Sequence, residues 1–538
     1  MKFSHVAIGG GITGIETTIK IIQEFYRNYK NNKFAKKLSI AIVDRSPDNI
    51  PGGVAYGLRI SKYGYFNNPI RLSPKIFQDW IFDKKNKKKI IDYLKKNGGS
   101  TGHKWIKKNK KILFSLDKKK LSELYIPRAI SNRWMEEKLI KLLNEIKKKN
   151  LPCKIDFFHG EVINICKGIK GMKKIIFKNN ICKKLNIKIL KNSFKQIDFT
   201  EGKNIKFIES LTQSIGIGLP PPKQLADENA KKNNRYIWDF YVEGSTSKLI
   251  NIISSFPKKK KILVYFIGYK AGLLEALPEL EQTIAIKKIN IKLICSSKNL
   301  ISIQKALKSK NKTKYKPFFF NIKNIKKIKK ANQIEELLKN EFNLAEKKGF
   351  NKYDVWTLIL KNNILHTCLI KFNKKQKNIY NEVYHNKIRN LTRFTYPETI
   401  VARENLSRKK ILISNKENVK KVENKGKKLL VKTINGSNIK KEYLCDVVVN
   451  VSGPLNVENL KKEIPLISNL KINGAKVNSG GFIVDNNFKI KGLKNIFTPG
   501  ILAKGFNPER KTIFNAILRN SFLVGKSVAK VLIDQKTI

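Results

Sequence analysis

An α/β fold with parallel sheets is what this sequence predicts. Two observations lead to it: strand, glycine turn and helix follow one another at the start of the chain, and the same order returns from Lys261 onward. At 538 residues the chain is long enough to bury a large core and hold two or three domains. Together these features predict two Rossmann-like dinucleotide-binding domains, the first of them discontinuous.

The first turn carries the clearest chemistry. An apolar run, Phe3 to Ile8, ends in Gly9-Gly10-Gly11-Ile12-Thr13-Gly14 and continues as Ile15 to Ile22, with helical character. Lacking Cβ atoms, Gly9 and Gly11 let the backbone turn and approach a pyrophosphate, and Gly14 lets the helix pack close to the strand. Phosphates then meet free backbone N–H groups and the positive end of the helix dipole. A second strand-like run, Leu38 to Val43, ends at Asp44, an acid placed to accept hydrogen bonds from a ribose. The long basic stretch Tyr26 to Lys37 explains why Asp44 lies farther from the glycines than usual.

The second turn is a degraded copy. Lys261 to Ile267 runs into Gly268-Tyr269-Lys270-Ala271-Gly272, then Leu273 to Leu277. Lys270 stands where a second glycine is expected, and its side chain could either block a phosphate or offer it a cation. The next strand, Ile289 to Cys295, ends in Ser296-Ser297-Lys298, with hydroxyls and a cation in place of the acid. Ser297 and Lys298 therefore favour a phosphorylated ribose, as in NADPH. The alternative at this turn is a retained fold that binds no nucleotide.

Between the two turns, Ser214 to Leu219 followed by Pro220-Pro221-Pro222 reads as the exit from the first domain. Near the C-terminus, Asn435-Gly436 marks a hairpin, Cys445 to Pro454 a strand buried on both faces, and Asn495 to Gly500 a third strand before a glycine. A last helix begins near Thr512, whose N-terminal N–H groups could face a bound dinucleotide. The division expected is 1–235 for the first part of one domain, 236–440 for the second nucleotide-binding and substrate region, and 441–538 for the closing part.

Composition narrows the function classes. The formal charge of +70 would ordinarily suggest a polyanion partner, but only 13 of the 111 basic residues are arginine and the lysines are spread along the whole chain. That pattern fits a solvated basic surface with no specific nucleic-acid site. The six cysteines form no CxxC pair, which suggests free thiols in a reducing, cytoplasmic setting. The five histidines show no ligand spacing, so no metal is expected, and no apolar run is long enough to span a membrane.

Further segments carry a family resemblance. Gly52-Gly53-Val54-Ala55-Tyr56 and Phe66-Asn67-Asn68-Pro69-Ile70-Arg71-Leu72-Ser73 look like the G-x-x-A-Y and L-N-x-P-x-x-x-M-S segments of FAD/NAD(P)-binding flavoproteins, with Phe66 in place of the leucine, Leu72 in place of the methionine and one residue fewer after Pro69. The family is that of the FAD-dependent urate hydroxylases and aspartate N-monooxygenases, more distantly the ornithine and Baeyer-Villiger monooxygenases. Tyr125-Ile126-Pro127-Arg128, the proline-rich exit, Asn450 to Pro454 and Gly500 to Thr512 resemble family features in the same order. From about Leu300 to Lys410 no motif stands out.

The resemblance implies FAD along Gly9, Gly11 and Gly14 with Asp44 on its ribose, Asn67, Arg71 and Ser73 near the isoalloxazine, and Gly500 and Thr512 closing over it. NADPH at Gly268, Gly272, Ser297 and Lys298 would supply hydride, and the reduced flavin with O2 would oxygenate a small polar substrate. Asn67 as a mere turn cap and Arg71 as a mere ion-pair partner are the bland readings, and Phe77 and Trp80 read as core. No catalytic side chain is assignable. Competing readings are a flavoprotein oxidase or dehydrogenase without NADPH, a basic flavoprotein acting on RNA, and a non-catalytic relic of the fold.

Overall fold

The computed structural model of the protein describes residues 1–29, 37–57, 64–189, 197–241, 246–257, 259–269, 271–298, 303–306, 315–362, 364–460, 463–478, 481–504 and 513–534. The chain folds as a mixed α/β protein with two parallel sheets, as the sequence predicts.

The first sheet is built on β1 (Lys2–Ile8), β2 (Leu38–Asp44) and β3 (Cys153–His159), with the helix α1 (Ile12–Tyr29) after the glycine turn. β1 pairs in parallel with β2 on one side and with Phe207–Ile215 on the other; β3 extends one flank and Ile496–Phe497 the other. Antiparallel hairpins complete nine strands among the described residues. The period-2 alternation of a strand sends Ala7, Ile40 and Ile42 into one core and Val6, Ile8, Ala41 and Val43 into another on the opposite face. Burial on both faces is why these strands read as continuous apolar runs.

The C-terminal helix Ile513–Asp534 lies along α1, with Thr17 Oγ1 donating to Ser521 Oγ at 3.1 Å. At the crossing, a Cβ on Gly525 would lie 2.6 Å from Lys20 Cβ.

The second sheet is wholly parallel. Its order is Leu412–Asn415, Ile291–Ser296, Ile262–Ile267, Val447–Asn450, Tyr236–Ile237. Val447–Asn450 thus belongs to this sheet, although the division drawn at 440/441 put it in the closing part. Parallel sheets recruit strands from distant sequence, and the apolar run that marks this strand does not say which sheet receives it. The hairpin at Asn435-Gly436 joins Lys428–Asn435 to Lys440–Cys445 in an antiparallel meander, where Asn435 Oδ1 accepts the Ser437 and Ile439 N–H groups.

The outgoing and returning linkers run side by side: Pro222 bridges Pro454, and the Leu455 N–H donates to Pro221 O at 3.0 Å. The central region without motifs is a helical insert. Helices Ala331–Lys347, Lys352–Lys361 and Ile364–Lys371 and the segment Lys374–Leu391 enclose a core of their own that includes Ile334, Leu338, Phe342, Val355, Ile359 and Leu365. The insert is rooted by a short parallel pair, Gln304–Lys305 with Phe394–Thr395.

Candidate cofactor and substrate site

The first glycine turn is packed to the limit of backbone contact. Gly9 has φ of 103°, and a Cβ there would come 2.6 Å from Gly216 O; one on Gly14 would come 1.8 Å from Gly9 O. No side chain fits either position. A Cβ on Gly11 would lie 3.0 Å from Gly53 Cα, so the G-x-x-A-Y segment borders the turn directly. Gly500 packs against Thr13 of the same turn, its Cβ position 3.3 Å from Thr13 Cγ2. Strand end, turn, exit linker and closing segment therefore converge at one point. Thr512 lies outside the described residues.

Asp44 is buried at the end of β2. Its Oδ2 accepts the Gly10 N–H at 2.7 Å, and its Oδ1 accepts the Ser46 N–H at 3.0 Å and the Asn49 Nδ2 at 2.7 Å. Burial pushes the carboxyl above its ordinary value, although the donors on Asn49, Gly10 and Ser46 oppose that. Three donors leave a carboxylate with one or so free lone-pair positions, so Asp44 latches β2 to the glycine turn and still has room for one hydroxyl. Beside it, Asn49 is 4% exposed and its Oδ1 is buried with no hydrogen-bond partner. A glycine cradle with no space for side chains, a carboxylate with spare capacity and an unmatched acceptor fit the adenosine end of a dinucleotide.

Of the residues expected near an isoalloxazine, Asn67 is exposed and its Oδ1 accepts from Thr395 Oγ1 at 3.3 Å. Arg71 pairs with Glu123, 3.0 Å apart. Ser73 is buried, its N–H donating to Ile70 O, and Leu72 O accepts from Asn515 Nδ2 of the C-terminal helix at 2.8 Å. Phe77 is fully buried beside Trp134 and Phe514, and Trp80 donates to Glu137. Both are core, as their sequence context suggests.

The second turn keeps its backbone geometry. Gly268 has φ of 114°, and a Cβ there would lie 2.7 Å from Ser452 Cα; its N–H donates to Ser296 O at 2.8 Å. Gly272 faces Val451 and the Tyr241 hydroxyl. Ser297 donates its N–H to Asn415 O at 3.2 Å and Lys298 is exposed. Lys270 lies outside the described residues.

Two groups of contacts were not foreseen from the sequence. The first is a buried polar centre between the sheets. Arg128 Nε donates to Tyr65 O at 2.9 Å, and its Nη2 pairs with Glu275, which sits on the helix following the second glycine turn. Burial works against the Arg128 charge, yet Glu275, with Tyr241 and Tyr56, offsets it and the proton is held above the ordinary range. Burial and then the Glu275 charge push the Tyr241 phenol up. Arg128 was noted for its motif, but nothing in the sequence names Glu275 as its partner.

The second group is contributed by the insert. Tyr125 OH donates to Tyr353 OH at 2.6 Å, Tyr353 meets Phe394 edge-on, and Tyr396 stacks on Tyr65 with centroids 4.2 Å apart. Burial pushes the Tyr125, Tyr353 and Tyr396 phenols up, so all three stay protonated. The region without motifs thus lands on the segments 65–71 and 125–128.

No protein-family model matches the chain, and no curated protein matches it in sequence. Among solved structures, the chain is similar to the ornithine hydroxylase PvdA of Pseudomonas aeruginosa in its reduced form, at 11% identity and TM-score 0.46 over 99% of both chains. It is similar to DfoA bound to FAD, the cadaverine monooxygenase of Erwinia amylovora, at 9% identity and TM-score 0.48 over 100% of this chain and 95% of that one. It is also similar to the bacillithiol disulfide reductase Bdr of Staphylococcus aureus, at 13% identity and TM-score 0.43 over 100% of each. Likeness at this level says nothing of substrate. Among the described residues no helix is long and apolar enough to cross a membrane, and no group of His, Cys, Asp and Glu is arranged to hold a metal.

Proposed function

We propose that the protein is an FAD-dependent oxidoreductase, an NADPH-using monooxygenase that hydroxylates a small polar substrate. The observation that carries this reading is the first turn: Gly9 is closed against Gly216 and Gly14 against Gly9 without space for a Cβ, Gly11 packs tightly on Gly53, and Asp44 is hydrogen-bonded to the same turn. That arrangement suits a pyrophosphate at the N-terminus of α1 and a ribose at the end of β2. FAD, when bound, would supply the redox chemistry.

The chain's own residues would do the rest. The N–H groups opening α1 hold phosphate, and Asp44 and Asn49 receive the ribose. Gly268 and Gly272 shape a second turn for NADPH, and Ser297 and Lys298 are offered to its ribose phosphate. The Arg128–Glu275 pair fixes the second turn relative to the segment carrying Asn67. Tyr65, Tyr125, Tyr353 and Tyr396 pack together as an aromatic wall beside Asn67 and Thr395.

The test is NADPH consumption followed together with oxygen uptake, in the presence of small amines, amino acids and hydroxy acids. Consumption of both that rises with one class of substrate and yields a hydroxylated product supports the reading. Turnover of a substrate with no use of NADPH would replace it with an oxidase or dehydrogenase.

A further inference from the structure

Three arginines around the candidate site each have an acid: Arg128 has Glu275, Arg71 has Glu123, and Arg133 has Glu136 and Glu137. Arg389 and Arg393 break that pattern. Arg389 ends the helix His385–Leu391, and Arg393 follows just beyond it. Arg393 Nη1 is buried with no hydrogen-bond partner. Among the described residues neither guanidinium forms an ion pair with a carboxylate. Much of the Arg389 surface is exposed, yet the protein around its head group still disfavours its charge, and Arg389 in turn repels Arg393.

An unmatched buried N–H on a cation, with a second cation beside it, is costly unless an anion completes it. The negative end of the 385–391 helix dipole offsets only part of that cost. The position is equally telling. The Arg393 carbonyl accepts the Gln304 N–H at 2.9 Å in the ladder that roots the insert, and two residues on, Thr395 bonds Asn67. The pair therefore stands at the junction of the insert with the Asn67 segment.

We propose that Arg389 and Arg393 form an oxyanion-recognition site that takes the carboxylate or phosphate of a small anionic substrate. The assignment rests on the oxygenase reading for calling the anion a substrate, while the site itself is defined by the two guanidiniums. Planar guanidiniums present paired N–H donors that match two oxygens of such a group, which lysine does not. This explains arginine here, in a chain where nearly all other basic residues are lysine.

The test uses the full-length purified protein, with propionate and inorganic phosphate as probes against chloride at matched ionic strength. Arginine modification by phenylglyoxal is mapped by peptide mass. The expected result is several-fold slower modification of Arg389 and Arg393 with one of the probes, and no change at exposed Arg27. Protection by propionate names a carboxylate, and protection by phosphate names a phosphoryl group. Arg393→Gln is expected to abolish protection of Arg389, and Arg393→Lys to weaken it. Arg389→Gln, at an exposed position, gives the reciprocal test on Arg393 without burdening the core. No protection by either probe, or equal protection of Arg27, overturns the site. Protection in a protein that binds no flavin keeps the site and defeats the oxygenase reading; a flavin-reducing protein without protection defeats this inference alone.

Discussion

Arg128 and Glu275 are 147 residues apart in sequence and form a buried ion pair that joins the segment before Asn67 to the helix after the second glycine turn. The Arg128 backbone N–H donates to Gly64 O at 2.7 Å and its Nε to Tyr65 O at 2.9 Å, so backbone and guanidinium are both held to the segment before Asn67. The helix after the second glycine turn is thereby tied to the segment that leads into Asn67.

Removing one member should strand the other. Arg128→Met or Glu275→Leu alone is expected to cost about 3–5 kcal/mol, and the double variant much less than the sum, because the penalty is an uncompensated buried charge. Thermal or denaturant unfolding of the four proteins in the cycle measures this. Simple additivity would show that the two side chains do not act as a pair.

Crowding at the first turn makes a sharp contrast between glycines. Gly14→Ala is expected to abolish flavin retention and to lower stability by several kcal/mol, since no relaxation clears 1.8 Å to a backbone oxygen. Gly436→Ala, with nothing within 4 Å and no positive φ, is expected to stay within about 0.5 kcal/mol of the parent. Flavin-to-protein ratio and melting temperature report both.

These two sites also mark what the sequence could and could not disclose. Gly9, Gly11, Gly14 and Asp44 are legible because a turn is a local object whose demands fall on adjacent residues. Gly268 and Gly272 are legible for the same reason. Glu275 as a partner of Arg128, and Thr395 as a partner of Asn67 across 328 residues, arise from packing between distant segments, for which local pattern carries no signal. Arg393 sits in a stretch whose lysine-rich helices show only that they are helical. Val447–Asn450 reads correctly as a doubly buried strand, but its sheet is decided by its neighbours.

Acid should expose the buried His5. Its imidazole bonds Thr212 Oγ1 at 2.9 Å and Ser214 Oγ at 3.0 Å, and burial lowers its pKa from 6.5 to about 3. The folded state resists a proton that the unfolded state accepts, so this stabilisation is complete above pH 6.5 and is lost as pH falls toward 3. The expected slope is about 1.4 kcal/mol per pH unit. Glu136 acts in the opposite sense: burial raises it from 4.5 to about 7, so its contribution is present below 4.5 and fades as pH rises through 7. His5→Gln keeps hydrogen-bonding capacity and should remove the acid-side slope alone, read as the difference in melting temperature between pH 7 and pH 4.5. An unchanged difference would place the acid sensitivity elsewhere.

The contact between α1 and the C-terminal helix should tolerate no bulk. Gly525→Val is expected to lower stability by about 1–3 kcal/mol, because its Cβ would press on Lys20. Thr17→Val, which removes the hydroxyl shared between Thr13 O and Ser521 Oγ, should cost only about 1 kcal/mol. Urea unfolding of both variants gives the comparison.

The absorption spectrum of the purified protein, recorded before and after anaerobic NADPH and again after air is readmitted, tests the central proposal most directly. A band at about 450 nm that bleaches with NADPH and returns with oxygen is the expected result. A protein that binds no flavin, even when FAD is supplied, would contradict the reading of the Gly9–Gly14 turn and of Asp44 on which the proposed function stands.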